Sequence, residues 1–113
     1  MKWLKFFSPV KSITSLRAKE MMGAEAGWIL LDVREPSEYA QGHIKGSVHI
    51  PLLQTGKRSG ELGKGKTVLV YCRCGNRSKL ASRILAAKGF IDVYNVEGGI
   101  VGWEGEGEGE AKG

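Results

Sequence analysis

Thr67-Val68-Leu69-Val70-Tyr71-Cys72-Arg73-Cys74-Gly75-Asn76-Arg77-Ser78 is the stretch from which the fold of this chain can be read. Its first five residues are apolar and rich in β-branched and aromatic side chains, which predicts a buried strand over 67–71. From Ser78 to Lys88 the spacing of Leu80, Ala81, Ile84 and Leu85 predicts a helix with those four residues on one face, stopped by Gly89. Between them lies a six-residue loop, Cys72 to Arg77. A strand-loop-helix unit aims the loop N–H groups and the helix N-terminus at whatever sits in the loop. What sits there first is a thiol, and Arg73, Arg77 and Lys79 add positive charge nearby. Such surroundings favour a thiolate, the reactive form of cysteine. A structural cysteine belongs inside the apolar run; Cys72 stands past its end in a polar turn and reads as reactive.

Working outward, Val10–Ile13 reads as a short first strand, and Thr14 or Ser15 as the cap of a helix through Met22, ended by Gly23. Leu16, Met21 and Met22 read as packing residues. Trp28–Val33 is an apolar run of buried-strand type, with Asp32 and Arg34 at its exit. If this strand is parallel to 67–71, Asp32 and Cys72 leave the sheet at the same edge, where ligands bind in open α/β folds. Asp32 reads as a structural ion-pair partner, because a carboxylate touching the thiol would raise its pKa. Pro36 suits the first turn of a short helix to Gln41, with Gly42 as its stop. Ser47–Ile50 and Asp92–Val96 read as further strands, and 52–66 as a surface crossover with at most a short helix. Gly98-Gly99 predicts a tight turn, after which Ile100 to Trp103 returns to the body. Strands alternating with helices predict an α/β domain of three layers around a mainly parallel sheet.

The 113 residues fit one domain, expected over 10–103. Residues 1–9 read as an N-terminal arm carrying Trp3, Leu4, Phe6 and Phe7. Residues 104–113, alternating Glu and Gly at first, read as a disordered tail. No apolar run approaches a membrane span, and the start lacks the continuous apolar segment of a signal peptide. Both cysteines fall in the one loop, against a disulfide-stapled secreted fold and for a reducing, cytoplasmic setting. The net charge of +5 comes from scattered Lys and Arg with no nucleic-acid-binding motif, so a solvated surface is expected and no nucleic-acid partner. His43 reads as a turn residue and His49 as a strand residue. The Cys-x-Cys and His-x5-His spacings do not fit the usual zinc pattern, so no metal is expected.

Cys72-Arg73-Cys74-Gly75-Asn76-Arg77-Ser78 resembles the active-site loop of rhodanese (sulfurtransferase) domains, typically Cys-Arg-Ser-Gly-Asn-Arg-Ser. Three more stretches resemble the family, in the family's order: Leu31-Asp32-Val33-Arg34 followed by Glu38-Tyr39, Gly42 to Pro51, and Gly98-Gly99-Ile100-Val101-Gly102-Trp103. The resemblance runs from about Lys11 to Trp103. It implies a three-layer rhodanese-like fold and a sulfurtransferase of the thiosulfate:cyanide type. Cys72 would be the nucleophile, taking sulfur from thiosulfate or a persulfide and passing it to a thiol, cyanide or protein acceptor without a cofactor. Arg73, Cys74, Gly75, Asn76, Arg77 and Ser78 would form the substrate-binding loop, with Asp32 and Arg34 supporting it. Gly75 suits a position needing positive φ, and Asn76 would brace the loop. Arg77 has two open readings, binding an anionic donor or anchoring the loop.

One position departs from the family. Thiosulfate-using members carry a basic residue two positions after the nucleophile, and here that residue is Cys74. A larger or protein-borne donor is therefore equally open. Cys74 has two open readings: it replaces a serine or other small residue and points away, or it is dispensable for loading Cys72 while affecting persulfide lifetime or oxidation. The competing functions are a non-turnover sulfur carrier, a Cys72/Cys74 dithiol redox protein and a cysteine-based phosphatase. The last uses Cys-x5-Arg, one residue longer than the Cys-x4-Arg from Cys72 to Arg77.

Overall fold

The computed structural model describes residues 9–105. Of the expected arm and tail, 1–8 and 106–113 lie outside the described residues. Among the described residues five strands, β1 (Ser12–Ile13), β2 (Trp28–Asp32), β3 (Val48–His49), β4 (Thr67–Tyr71) and β5 (Val93–Val96), form one sheet in the order β1-β5-β4-β2-β3, and every pairing is parallel. Each parallel crossover carries helical structure. The helices are α1 (Ser15–Ala24), α2 (Pro36–Gln41), α3 (Thr55–Arg58), α4 (Asn76–Ala87) and α5 (Gly99–Gly105).

β4 is central and nearly sealed on both faces, as its continuous apolar run predicts. Strand alternation sends Val68 and Val70 to one side, where Ala81 and Leu85 of α4 cover them with Phe90, Leu62 and Ile50. Leu69 and Tyr71 face the other side, against Ala18 and Met21 of α1 and Ile100 and Trp103 of α5. Cys72 continues the alternation of Val68 and Val70 and belongs to the α4 side. The register Asp32↔Tyr71 brings the ends of β2 and β4 to the same sheet edge.

Several boundaries differ from the sequence reading. The helix after β4 begins at Asn76, not Ser78, because Gly75 caps it with φ 103° and lets the chain turn sooner. Leu80 is 40% exposed, so Ala81 and Leu85 carry the buried face with Ile84 at its border. Gly23 lies inside α1, which ends at Ala24 and is capped by Glu25; Thr14 is its N-cap, accepting from the Arg17 N–H. Leu16 is exposed while Met21 is buried. The 52–66 crossover is more than a surface loop: it holds α3 between two 3₁₀ turns (Leu52–Gln54 and Ser59–Glu61) and buries Thr55 and Leu62. The return after Gly98 is a helix, α5.

Candidate active site

Three elements enclose the sulfur of Cys72. β4 delivers it, α4 caps it and α5 holds the loop between them. Cys72 is 1% exposed. Its Sγ accepts from the N–H of Gly75 at 3.1 Å and of Ser78 at 3.3 Å, and lies 3.3 Å from Ser78 Oγ. The early start of α4 puts Ser78 in its first turn, so the positive end of the helix meets the sulfur directly. Behind the loop, the N–H groups of Ile100 and Val101 donate to the carbonyls of Cys72 (2.9 Å) and Arg73 (3.3 Å). With those carbonyls tied to α5, loop amides remain available to the sulfur.

Burial pushes the Cys72 thiol up. Hydrogen bonding of the thiolate with the Ser78 hydroxyl, and from the backbone N–H groups of Ser78, Gly75 and Cys74, outweighs it, and the thiol lies below its ordinary value. The lowering expected from the sequence has these hydrogen bonds as its leading causes, more than the nearby cations.

The loop residues divide by exposure. Arg73, Cys74 and Asn76 are exposed at the mouth. The Asn76 side chain makes no hydrogen bond among the described residues, so the expected brace is absent there. Ser78 is fully buried, with its hydroxyl 3.3 Å from the sulfur. Arg77 makes a two-pronged pair with Glu38 of α2, at 2.7 and 3.0 Å, which favours its anchoring reading. Asp32 and Arg34 form a buried ion pair at 2.8 Å, and the Arg34 guanidinium also donates to the Gly42 carbonyl. The pair ties the exit of β2 to the end of α2. A cleft of about 340 Å³ opens beside the loop, lined by Arg34, Glu38, Gln41, Gly42, Arg73, Ile100 and Val101.

Glu38 supplies a test of this anchor. The Arg77 hydrogen bonds hold its carboxyl down to about 2 from 4.5 despite burial working the other way. A carboxyl lowered by folding contributes stability that is complete above the unfolded value and disappears as pH falls from about 4.5 toward about 2. Glu38→Gln is therefore expected to cost no more than about 1 kcal/mol at neutral pH, because the pair is part-exposed and screened. The gap to the parent should close in acid. Urea unfolding at several pH values checks this, and a gap independent of pH would remove the ion pair as its cause.

Three contributors were not among the site residues of the sequence reading. Asn95 sits beneath Ser78, Glu38 pairs with Arg77, and Gly99 packs against the loop carbonyls. A fully buried asparagine in the strand Val93–Val96 demands a partner, and that signal was available for Asn95. His43 stacks on Tyr39 at 3.7 Å with Nδ1 hydrogen-bonded to the Tyr39 carbonyl, and His49 also stacks on Tyr39, at 4.3 Å, while Nε2 reaches the Arg34 carbonyl. Both act in the framework. Among the described residues no group of three or more His, Cys, Asp or Glu is placed to hold a metal.

A sequence model of the family described as Rhodanese-like domain matches residues 14–106. A Bacillus subtilis relative, YrkF, whose name describes a candidate sulfur carrier protein, is 37% identical over 101 residues, covering 89% of this chain and 55% of the relative. The chain thus spans about half of that relative's length. A Pseudomonas syringae pv. syringae relative, named thiosulfate sulfurtransferase GlpE, is 38% identical over 79 residues, covering 70% of this chain and 74% of the relative. The crystal structure of a rhodanese-related protein from Thermoplasma volcanium superposes with a TM-score of 0.77 and 35% identity, covering 87% of this chain and 94% of that one.

Proposed function

Because the chain belongs to the rhodanese-like domain family, whose sulfurtransferase members it matches, we propose that it moves a sulfane sulfur through a persulfide on Cys72. The observation that carries this reading is the sulfur of Cys72 held against the N-terminus of α4 by two backbone N–H groups and the Ser78 hydroxyl. Cys72 thiolate attacks the outer sulfur of thiosulfate or of a persulfide. A new S–S bond forms, the donor's S–S bond breaks, and sulfite or a thiolate leaves with the electron pair. An acceptor nucleophile, a thiol, cyanide or a protein cysteine, then attacks the outer sulfur and restores the Cys72 thiolate. The N–H groups stabilise negative charge in the cradle as an oxyanion hole does. No cofactor enters this cycle.

Arg73 is the exposed cation of the loop and stands on the cleft, so it is the group proposed to meet an anionic donor. With Cys74 in place of a second basic residue, a persulfide carried by a larger molecule suits the cleft as well as thiosulfate does. A reducing cytoplasmic setting belongs to the proposal, since both cysteines are free and lie in this loop.

The test is incubation of the full chain with thiosulfate, and separately with a low-molecular-weight persulfide, followed by intact and peptide mass spectrometry. One added sulfur, about 32 Da, on Cys72 is expected. Adding cyanide or a thiol should remove it. Repeated turnover identifies an enzyme, whereas a single stoichiometric discharge identifies a carrier; no adduct with either donor would sink both. Cys74→Ser is expected to load at the parent's rate, because the Cys74 side chain is exposed while the sulfur of Cys72 is buried. It should form less Cys72–Cys74 disulfide on mild oxidation. A variant that cannot load would place Cys74 in the first step.

A further inference from the structure

We propose that Asn95 is a positioning residue for the sulfur chemistry: its buried amide sets the direction of the Ser78 hydroxyl, and through it whether Cys72 is held as thiol or thiolate. A chain of hydrogen bonds runs from the sulfur into the sheet. Cys72 Sγ lies 3.3 Å from Ser78 Oγ, Ser78 Oγ–H donates to Asn95 Oδ1, and Asn95 Nδ2 donates to Ser12 Oγ at 3.2 Å. Ser78 and Asn95 are fully buried, while Ser12 is exposed on β1.

Counting protons shows what the amide does. A hydroxyl has one proton. When Ser78 gives it to Asn95 Oδ1, only a lone pair remains for the sulfur, so the contact is made by the S–H of a neutral thiol. A thiolate, or the Cys72 sulfur of a persulfide, has no proton and needs the Ser78 O–H. Ser78 Oγ then turns a lone pair toward Asn95, and the amide must present Nδ2 by a half-turn about its last torsion. Oδ1 now faces Ser12, whose hydroxyl donates to it. The proton lost from sulfur passes to a solvent base, and none crosses the amide. Asparagine serves both states because its amide is donor on one side and acceptor on the other. An unpaired polar group in this buried chain is costly, so the three residues reverse together.

The surrounding charges do not take this role. Arg77 of α4 is paired with Glu38 of α2, and Arg34 with Asp32 at the exit of β2. Arg73 in the loop, Lys79 on α4 and Glu97 after β5 are exposed. None of them hydrogen-bonds to Ser78 or Asn95 side chains among the described residues.

The inference rests on Cys72 as the nucleophile, but its test does not require sulfur transfer. The rate of iodoacetamide alkylation at Cys72 is measured against pH in the full chain, resolved by peptide mass spectrometry because exposed Cys74 also reacts. Asn95→Asp, which only accepts, is expected to raise the inflection by about one unit, a roughly tenfold slower reaction below it. In a Ser78→Ala background the same substitution should shift it far less. Ser12→Ala, on the exposed edge strand, should raise the inflection by about 0.3 unit, roughly twofold in rate. Equal shifts from Asn95→Asp with and without Ser78 would reveal a carboxylate field alone and overturn the inference, as would no shift in either single variant. If Asn95→Asp fails to fold, the Ser12→Ala shift with and without Ser78 decides. These shifts in a chain that never loads sulfur would uphold the relay and count against the sulfurtransferase reading alone.

Discussion

Cys72→Ser is expected to abolish sulfur loading and to reduce any turnover on the order of 10³-fold or more. The hydroxyl that replaces the thiol is not ionised near neutral pH, and an S–S bond cannot form to oxygen. The exposed Cys74 offers no substitute, because it lies outside the cradle of the Gly75 and Ser78 N–H groups. The fold should survive with a loss of about 1 kcal/mol, since serine is close to isosteric and finds the same donors. Mass spectrometry after donor treatment checks the first part and urea unfolding the second. An adduct of full yield on the variant would move the nucleophile to Cys74, whereas an unfolded variant would leave the loss of activity without chemical meaning.

The second large effect is expected at a residue with no chemistry of its own. A Cβ on Gly99 would lie 2.4 Å from the carbonyl oxygens of both Cys72 and Arg73, and its φ is +55°. The obstacles are backbone atoms, so relief requires moving the loop or α5. Gly99→Ala is expected to cost about 2–4 kcal/mol. It should also slow sulfur loading by roughly 10- to 100-fold as the carbonyls of Cys72 and Arg73 leave the α5 amides and the cradle loosens. Gly102→Ala on the same helix is the control: its Cβ would come no nearer than 3.8 Å to the Glu97 carbonyl, and little change is expected. Denaturation midpoints and loading rates measured together decide this. If Gly99→Ala matches Gly102→Ala in both, the packing of α5 on the loop does not set the site.

The order of strands and helices was legible because local pattern suffices for it. Thr67–Tyr71 and Trp28–Asp32 are apolar enough to be recognised as buried strands before any partner is known, and Pro36 and Gly42 bracket α2 as expected. Where local pattern misled, a contact from elsewhere intervened. Leu80 keeps the periodicity of a core residue yet is 40% exposed, because only Ala81 and Leu85 meet the sheet squarely. The 52–66 segment is polar and Gly-rich, yet Gly56 lets α3 approach Ile84 of α4 closely: a Cβ there would lie 3.3 Å from that side chain.

By itself the sequence determined the alternation of strands and helices, the strand-loop-helix unit and the thiol at its turn, since each depends on residues within a few positions of one another. Only the tertiary structure decided what the thiol touches and what the loop leans on. Ser78 meets Asn95 across 17 positions and Arg77 meets Glu38 across 39. The carbonyls of Cys72 and Arg73 are held by a helix that the sequence presents only as a turn. Side-chain periodicity places a residue on a face, but hydrogen bonds require a partner at about 3 Å in a defined direction. That condition is met only when β4 and β5 lie side by side and α2, α4 and α5 have closed over the same edge of the sheet.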